Sequence, residues 1–254
     1  MDRRNFLKTG GIALLGSLAT GSAMALTTPG ALGGEGADKK AAVALAMNHF
    51  GVSEADLKKV LAAALEKGGD YADLFFEHTI SNSIRLMDGA VNNSYSNIDY
   101  GVGVRVLTGD QSGYAYVENI TVEDMLKAAR TAARIASANK GNKPLNLTEK
   151  ELKKNYYTVA SPWEEVSLKD KMTYLQKLND RIFALDKRVH KVQASQSDTT
   201  SHIFFCNSEG VMFYDYRPMV TLGAVCIMEE DGKTENGYAA RAYRRGFDFL
   251  SDEV

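Results

Sequence analysis

Four histidines, two cysteines and a scatter of carboxylates are the residues of this chain that could do covalent or metal chemistry. Zinc-hydrolase chemistry needs two or three neutral imidazoles beside a carboxylate, most often two histidines one helical turn apart with a glutamate next to them. His49, His78, His190 and His202 do not meet that pattern, since no two lie three to five residues apart. Glu77 and His78 are adjacent in a stretch that reads as a strand, so their side chains point to opposite faces. His190 and His202 could meet across neighbouring strands, but no third ligand is evident. The spacing favours structural or surface roles for all four.

Nucleophilic chemistry has no better footing. There is no Gly-x-Ser-x-Gly elbow, and no serine is paired with a particular histidine. Cys206 ends the apolar run HIFFC and Cys226 sits in GAVCIM, so both read as buried strand residues. A disulfide between them stays open for an exported protein. Gly101-x-Gly103 lies within a strand rather than at the start of a helix, so it is no dinucleotide fingerprint. It marks a bend, a bulge or the close approach of another backbone. Arg241, Arg244 and Arg245 read as a solvated strand face.

The elements that carry these residues are legible from their periods. Val102, Val104 and Val106 alternate with Gly101, Gly103 and Arg105, the pattern of a strand with one buried face. Tyr114 and Tyr116 alternate with Gly113, Ala115 and Val117. Asp88-Gly89 marks one turn and Thr108-Gly109-Asp110 a three-residue hairpin loop. Ser53–Asp56, Thr121–Asp124 and Ser167–Asp170 each pair a capping hydroxyl with an acid three residues on, and each precedes helical apolar spacing. Alanine dominates the stripe after Thr121, which places that helix close against the sheet.

A second set of short strands follows the third helix: Val189–Ser195, His202–Cys206, Val211–Arg217, Val220–Met228 and Tyr238–Tyr243. Its order echoes the first set, as a diverged duplication would, or two unrelated hairpin sets. The expected fold is α+β: two units of antiparallel sheet with flanking helices.

The run DGAV, GVGVRVL, GDQSGYAYVEN and MLKAARTAARIA, in that order over residues 88–136, resembles the N-terminal domain of the TldD/PmbA family. The resemblance continues more weakly through residues 165–245. It implies a bacterial metallopeptidase acting on peptides or unfolded segments through a zinc-bound water. The family carries its metal on His-Glu-x-x-x-His in its C-terminal half, and that motif is absent here. No catalytic or metal-binding residue is therefore carried over. The resemblance implies no cofactor in this chain, zinc in the family's C-terminal half, and a homo- or hetero-oligomer with a TldD/PmbA-type subunit. The chain is then the non-catalytic N-terminal portion of such an enzyme. The alternative is an exported module that binds or regulates a partner, without the peptidase half.

The first residues carry another signal. Arg3 and Arg4 followed by Phe6 and Leu7, a mildly apolar stretch from Gly10 to Ala19, then Ala23 and Ala25 at the positions a signal peptidase reads, resemble a twin-arginine export signal. Asp2 stands where such signals usually have Ser or Thr. The apolar stretch is short of the ~18 residues a spanning helix needs, which argues against a stable membrane anchor. The expected location is periplasmic or extracytoplasmic. The chain then divides into a signal (1–25), a leader with a short helix (26–52), a first α+β domain (53–140), a linker (141–164) and a second domain (165–254) that looks incomplete at its end. Charged residues make up 24% and the net charge is −2 with no block of one sign, so nothing points to nucleic acid.

Overall fold

The computed structural model describes residues 39–136, 147–149, 159 and 161–250. In three helices the first turn is closed as the sequence predicts. Ser53 caps α2 (Glu54–Leu65), its hydroxyl accepting from the Asp56 amide while the Asp56 carboxylate accepts from the Ser53 amide. Thr121 caps α3 (Val122–Ile135) and Ser167 caps α4 (Leu168–Leu185) with the same hydroxyl-to-amide bond. Ahead of them, α1 (Lys39–Phe50) ends at Gly51, whose φ of 66° lets its amide and that of Val52 bond back to the Asn48 and Met47 carbonyls.

Seven strands form one sheet: β1 (Tyr71–Met87), β2 (Ala90–Thr108), β3 (Gln111–Val117), β4 (Thr148–Glu149), β5 (Val189–Asn207), β6 (Val211–Glu230) and β7 (Lys233–Tyr243). Their order is β3-β2-β1-β5-β6-β4, with β7 also on β6, antiparallel throughout except for the two-residue β4. The two expected units are both present, each a capped helix followed by a three-strand meander. They share one sheet because β1 pairs with β5 from Asp73–Asn207 to Met87–Gln193. The meanders have the same strand order, as an internal duplication requires. The β1–β2 and β6–β7 turns also match: Asp88-Gly89 and Asp231-Gly232 have φ of 50°/78° and 51°/74°, the positive pair of a type I′ turn.

Several boundaries differ from the sequence reading. The strands are long rather than short, and β5 and β6 each join two segments that the periodicity separates. Polar residues such as Ser195–Ser201 interrupt the hydrophobic period, yet they hydrogen-bond to strands on both sides. Pro218 lies inside β6, between the part covered by β4 and the part covered by β7, where a missing N–H costs no ladder bond on the outer side. The hairpin after β2 has a two-residue loop, Gly109-Asp110, since Thr108 pairs with Gln111. Trp163, expected in the linker, is a core residue in a 3-10 turn (Trp163–Glu165).

The four α-helices of the described residues lie on one face of the sheet. Leu74, Phe76, Val104, Val106 and Phe204 meet α1, α2 and α3 in the main apolar cluster, and Ile84, Leu86 and Ala194 meet Leu175 of α4. Between these clusters runs a buried polar seam of Gln196, Asp198, Thr200 and His202 on β5. Lys171 of α4 closes it with two 2.9 Å bonds to the Asp198 carboxylate.

The alanine stripe of α3 sits directly over Gly113 of β3. A Cβ there would collide with the Ala132 carbonyl oxygen. Gly113→Ala should destabilise the fold by about 1–3 kcal/mol, because neither backbone can retreat without opening the apolar layer. Urea unfolding checks this, and an unchanged midpoint would show that the helix can shift.

Candidate functional site

The fold gathers three of the four histidines. His78 of β1 and His202 of β5 are opposed partners in the ladder, on the face that carries Phe76 and Phe204. His49, in the last turn of α1, comes down on both. Its ring centroid is 4.9 Å from each of theirs, with interplanar angles of 29° and 26°. His49 Nε2 and His78 Nδ1 are 2.8 Å apart, a hydrogen bond in which one ring must be a neutral acceptor. His202 Nδ1 lies 2.8 Å from the Tyr214 hydroxyl, and its Nε2 is 3.6 Å from Glu164 Oε1 of the 3-10 turn.

Crowding at the α1–sheet junction lowers the pKa of two of the three imidazoles. The His49 pKa is pushed down to about 4, first by desolvation, then by His202 and His78, with Glu164 pulling the other way. His78 is lowered for the same reasons, desolvation first, then His202. Desolvation raises the Tyr214 and Tyr216 hydroxyls far above their usual range, so both stay neutral. The expectation that the four histidines stand isolated is thus corrected for three of them. His190 does not meet His202 across strands: both belong to β5, and His190 is exposed beside Glu229. No spacing signal links positions 49, 78 and 202. Parity alone was available, since His78 and His202 share a face with buried phenylalanines.

The trio does not fit a zinc site. Metal ligands turn their lone pairs toward one point, whereas here the rings stack and two nitrogens share a hydrogen bond. Among the described residues, no group of three or more His, Cys, Asp or Glu side chains could hold a metal ion.

A second feature lies where β3 leaves β2. A shallow open hollow of about 430 Å³ is lined by Phe75, Tyr114 and Tyr116 with Glu77, Asp99 and Glu118. Gly103 lies beneath the Tyr114 ring, and a Cβ on Gly101 would meet the Val117 carbonyl oxygen at 2.5 Å. The close backbone approach at Gly101 is therefore from the chain itself; the β1 register runs past both glycines, and the β3 register past Gly103, without a bulge. Beyond β3, residues Ala90 to Gly101 of β2 pair only with β1 among the described residues. Val91, Tyr95 and Ile98 are exposed along that edge.

The cysteines are free: Cys206 is fully buried on β5 and Cys226 partly exposed on β6. Cys206 is opposite Met212 and Cys226 opposite Val192, so the two lie near opposite ends of the paired strands and cannot be bridged. Burial pushes the Cys206 thiol well up, which makes it a poor nucleophile. Arg3, Arg4, Phe6, Leu7, Ala23 and Ala25 lie outside the described residues.

Two family descriptions match along this framework. PmbA/TldA metallopeptidase domain 1 covers residues 72–136, and the PmbA/TldA metallopeptidase central domain covers residues 161–254. The chain belongs to the PmbA/TldD family. The first match spans β1 to α3, and the second the 3-10 turn through β7, so the family's domain division coincides with the two meanders. A metalloprotease TldD homolog from Haemophilus influenzae is 31% identical over 189 residues, covering 73% of this chain and 39% of the relative. One from Buchnera aphidicola (Acyrthosiphon pisum) is 26% identical over 207 residues, covering 82% and 43%. The chain therefore spans about two-fifths of the length of these curated relatives.

Among solved structures, the fold resembles a proposed modulator of DNA gyrase from Thermotoga maritima, with a TM-score of 0.59, 19% identity, and 76% of this chain and 43% of that one covered. It also resembles TldE from Thermococcus kodakarensis, with a TM-score of 0.53, 15% identity, and 74% and 43% covered. At such identities the likeness establishes the fold alone.

Proposed function

We propose that this PmbA/TldD-family chain supplies the non-catalytic N-terminal portion of a TldD-type zinc metallopeptidase that cleaves peptides or unfolded segments. One observation carries the reading: the two matched descriptions are domain 1 and the central domain of a metallopeptidase, and together they fold into a continuous sheet. Zinc and its His-Glu-x-x-x-His ligands would then come from the family's C-terminal half, on this polypeptide or on a partner subunit. The Haemophilus and Buchnera relatives bear the name metalloprotease, which supports the peptide-hydrolase class. The assembly we infer is a homo- or hetero-oligomer with a TldD/PmbA-type subunit. The uncovered β2 edge supports such assembly, because a long strand edge with exposed apolar residues and no proline or lysine is a template for another chain.

The test is peptide hydrolysis by the purified chain, alone and combined with a subunit that carries the metal motif. Chelator-sensitive cleavage only in the combination supports the reading. Cleavage by the chain alone, with or without chelator, overturns it. Stable pairing that slows the partner's own cleavage would instead establish the exported regulatory module.

The export reading rests on Arg3, Arg4 and the Ala23–Ala25 cleavage motif, and makes the mature chain periplasmic or extracytoplasmic. Replacing Arg3 and Arg4 with lysine should block export and leave the uncleaved precursor in the cytoplasm. Undiminished export of that variant would reject it.

A further inference from the structure

The docking of α1 rests on few contacts. Val43, Ala46 and Phe50 are its buried apolar residues, and Phe50 reaches Phe76 and Phe204 at 5.4 and 6.4 Å between ring centroids. The polar part of the same junction is the imidazole trio, and the trio draws on three elements that are distant in sequence. We propose that the junction between α1 and the sheet is an acid-sensitive latch, closed by the uncharged imidazoles of His49 and His78 stacked beside His202 and released when His49 and His78 take up protons.

The geometry sets the sign. The His49–His78 bond of 2.8 Å needs one acceptor nitrogen, and a doubly protonated pair has none. Every element around the trio contributes a group that bears on its charge: Tyr100 from β2, Tyr214 and Tyr216 from β6, and Glu164 from the 3-10 turn, with Glu165 acting on Tyr216. The tyrosines stay neutral. Glu164, with its Oε2 buried and unpartnered, is a single carboxylate and can balance one imidazolium but not a second. A second proton therefore places like charges on stacked rings 4.9–5.9 Å apart. The α1 C-terminus favours a cation at His49 and works against release, but the Gly51 and Val52 amides already occupy its last carbonyls.

The lowered pKa values of His49 and His78 point the same way. A group whose pKa is depressed when docked binds protons more readily once undocked. Docking is therefore complete above the ordinary histidine pKa of about 6.5 and weakens as pH falls toward the docked value. Below 6.5, each further drop of one pH unit within that window weakens docking about tenfold for each such histidine.

Amide hydrogen exchange on the 254-residue chain at pH 7.5 and 5.0, corrected for intrinsic rates, tests the latch. The account expects protection in residues 42–50 to fall about tenfold or more at pH 5.0 relative to α2, and expects H49Q/H78Q to abolish that pH dependence. Unchanged protection in the wild type overturns the proposal, as does an equal loss in the double variant. Should the variant fold poorly, NMR titration of the wild-type imidazoles decides instead. Midpoints clearly below the ordinary value for His49 and His78 support the latch, and ordinary midpoints overturn it.

Discussion

Lys171→Met is expected to cost the folded chain about 3–5 kcal/mol, the most damaging single change at a charged position. Lys171 and Asp198 are 4% and 2% exposed, and removing the ammonium leaves a buried carboxylate with only amide donors. Those donors are Asn82 Nδ2 at 3.0 Å and Gln196 Nε2 at 3.3 Å, too few to replace a cation. Adding Asp198→Leu to the same variant should restore part of the loss, because two desolvated charges then disappear together. It should not restore all of it, since Asn82 and Gln196 lose their acceptor. Equilibrium urea unfolding of the two single variants and the double variant measures the coupling. Equal losses for single and double variants would show that the ion pair does not close the polar seam.

Trp163→Ala should cost a similar amount, about 3–5 kcal/mol, and act at a distance along the chain. The indole is 1% exposed against Val220 and Leu222, meets the Phe247 ring edge-on at 5.6 Å, and donates to the Arg245 carbonyl at 2.6 Å. It is the peg on which the segment after β7 folds back. The substitution should therefore raise amide exchange in residues 245–250 as well as lower the unfolding midpoint. Trp163→Phe keeps most of the apolar contact and removes the N–H, so its cost should be nearer 1 kcal/mol. If both variants unfold alike, the hydrogen bond rather than the packing anchors the segment. The Lys171 ammonium sits 5.6 Å over the same ring, so the Trp163 and Lys171 losses will not add.

What the sequence revealed follows from how far each signal reaches. The three capping pairs and the Asp88-Gly89 turn are settled by neighbours within four residues, and all are found where the residues place them. The valine alternation of β2 likewise fixed which face is buried. Strand length was hidden because Asn92–Asn97 and Ser195–Ser201 carry no hydrophobic period; their strand state comes from ladder partners, not from side-chain burial. The β1–β5 pairing that fuses the two units joins residues more than 100 positions apart, as His78 and His202 show, and nothing local announces it. The histidine trio was invisible for the same reason. Trp163 was misplaced because its partners, Phe247 and the Arg245 carbonyl, are also remote.

The measurement that bears most directly on the central claim is hydrolysis of an unstructured peptide by this chain, with and without a TldD-type subunit that carries His-Glu-x-x-x-His. The account predicts no cleavage by the chain alone and chelator-sensitive cleavage by the assembly. Cleavage by the purified chain in the presence of chelator would place the chemistry within these residues and contradict it.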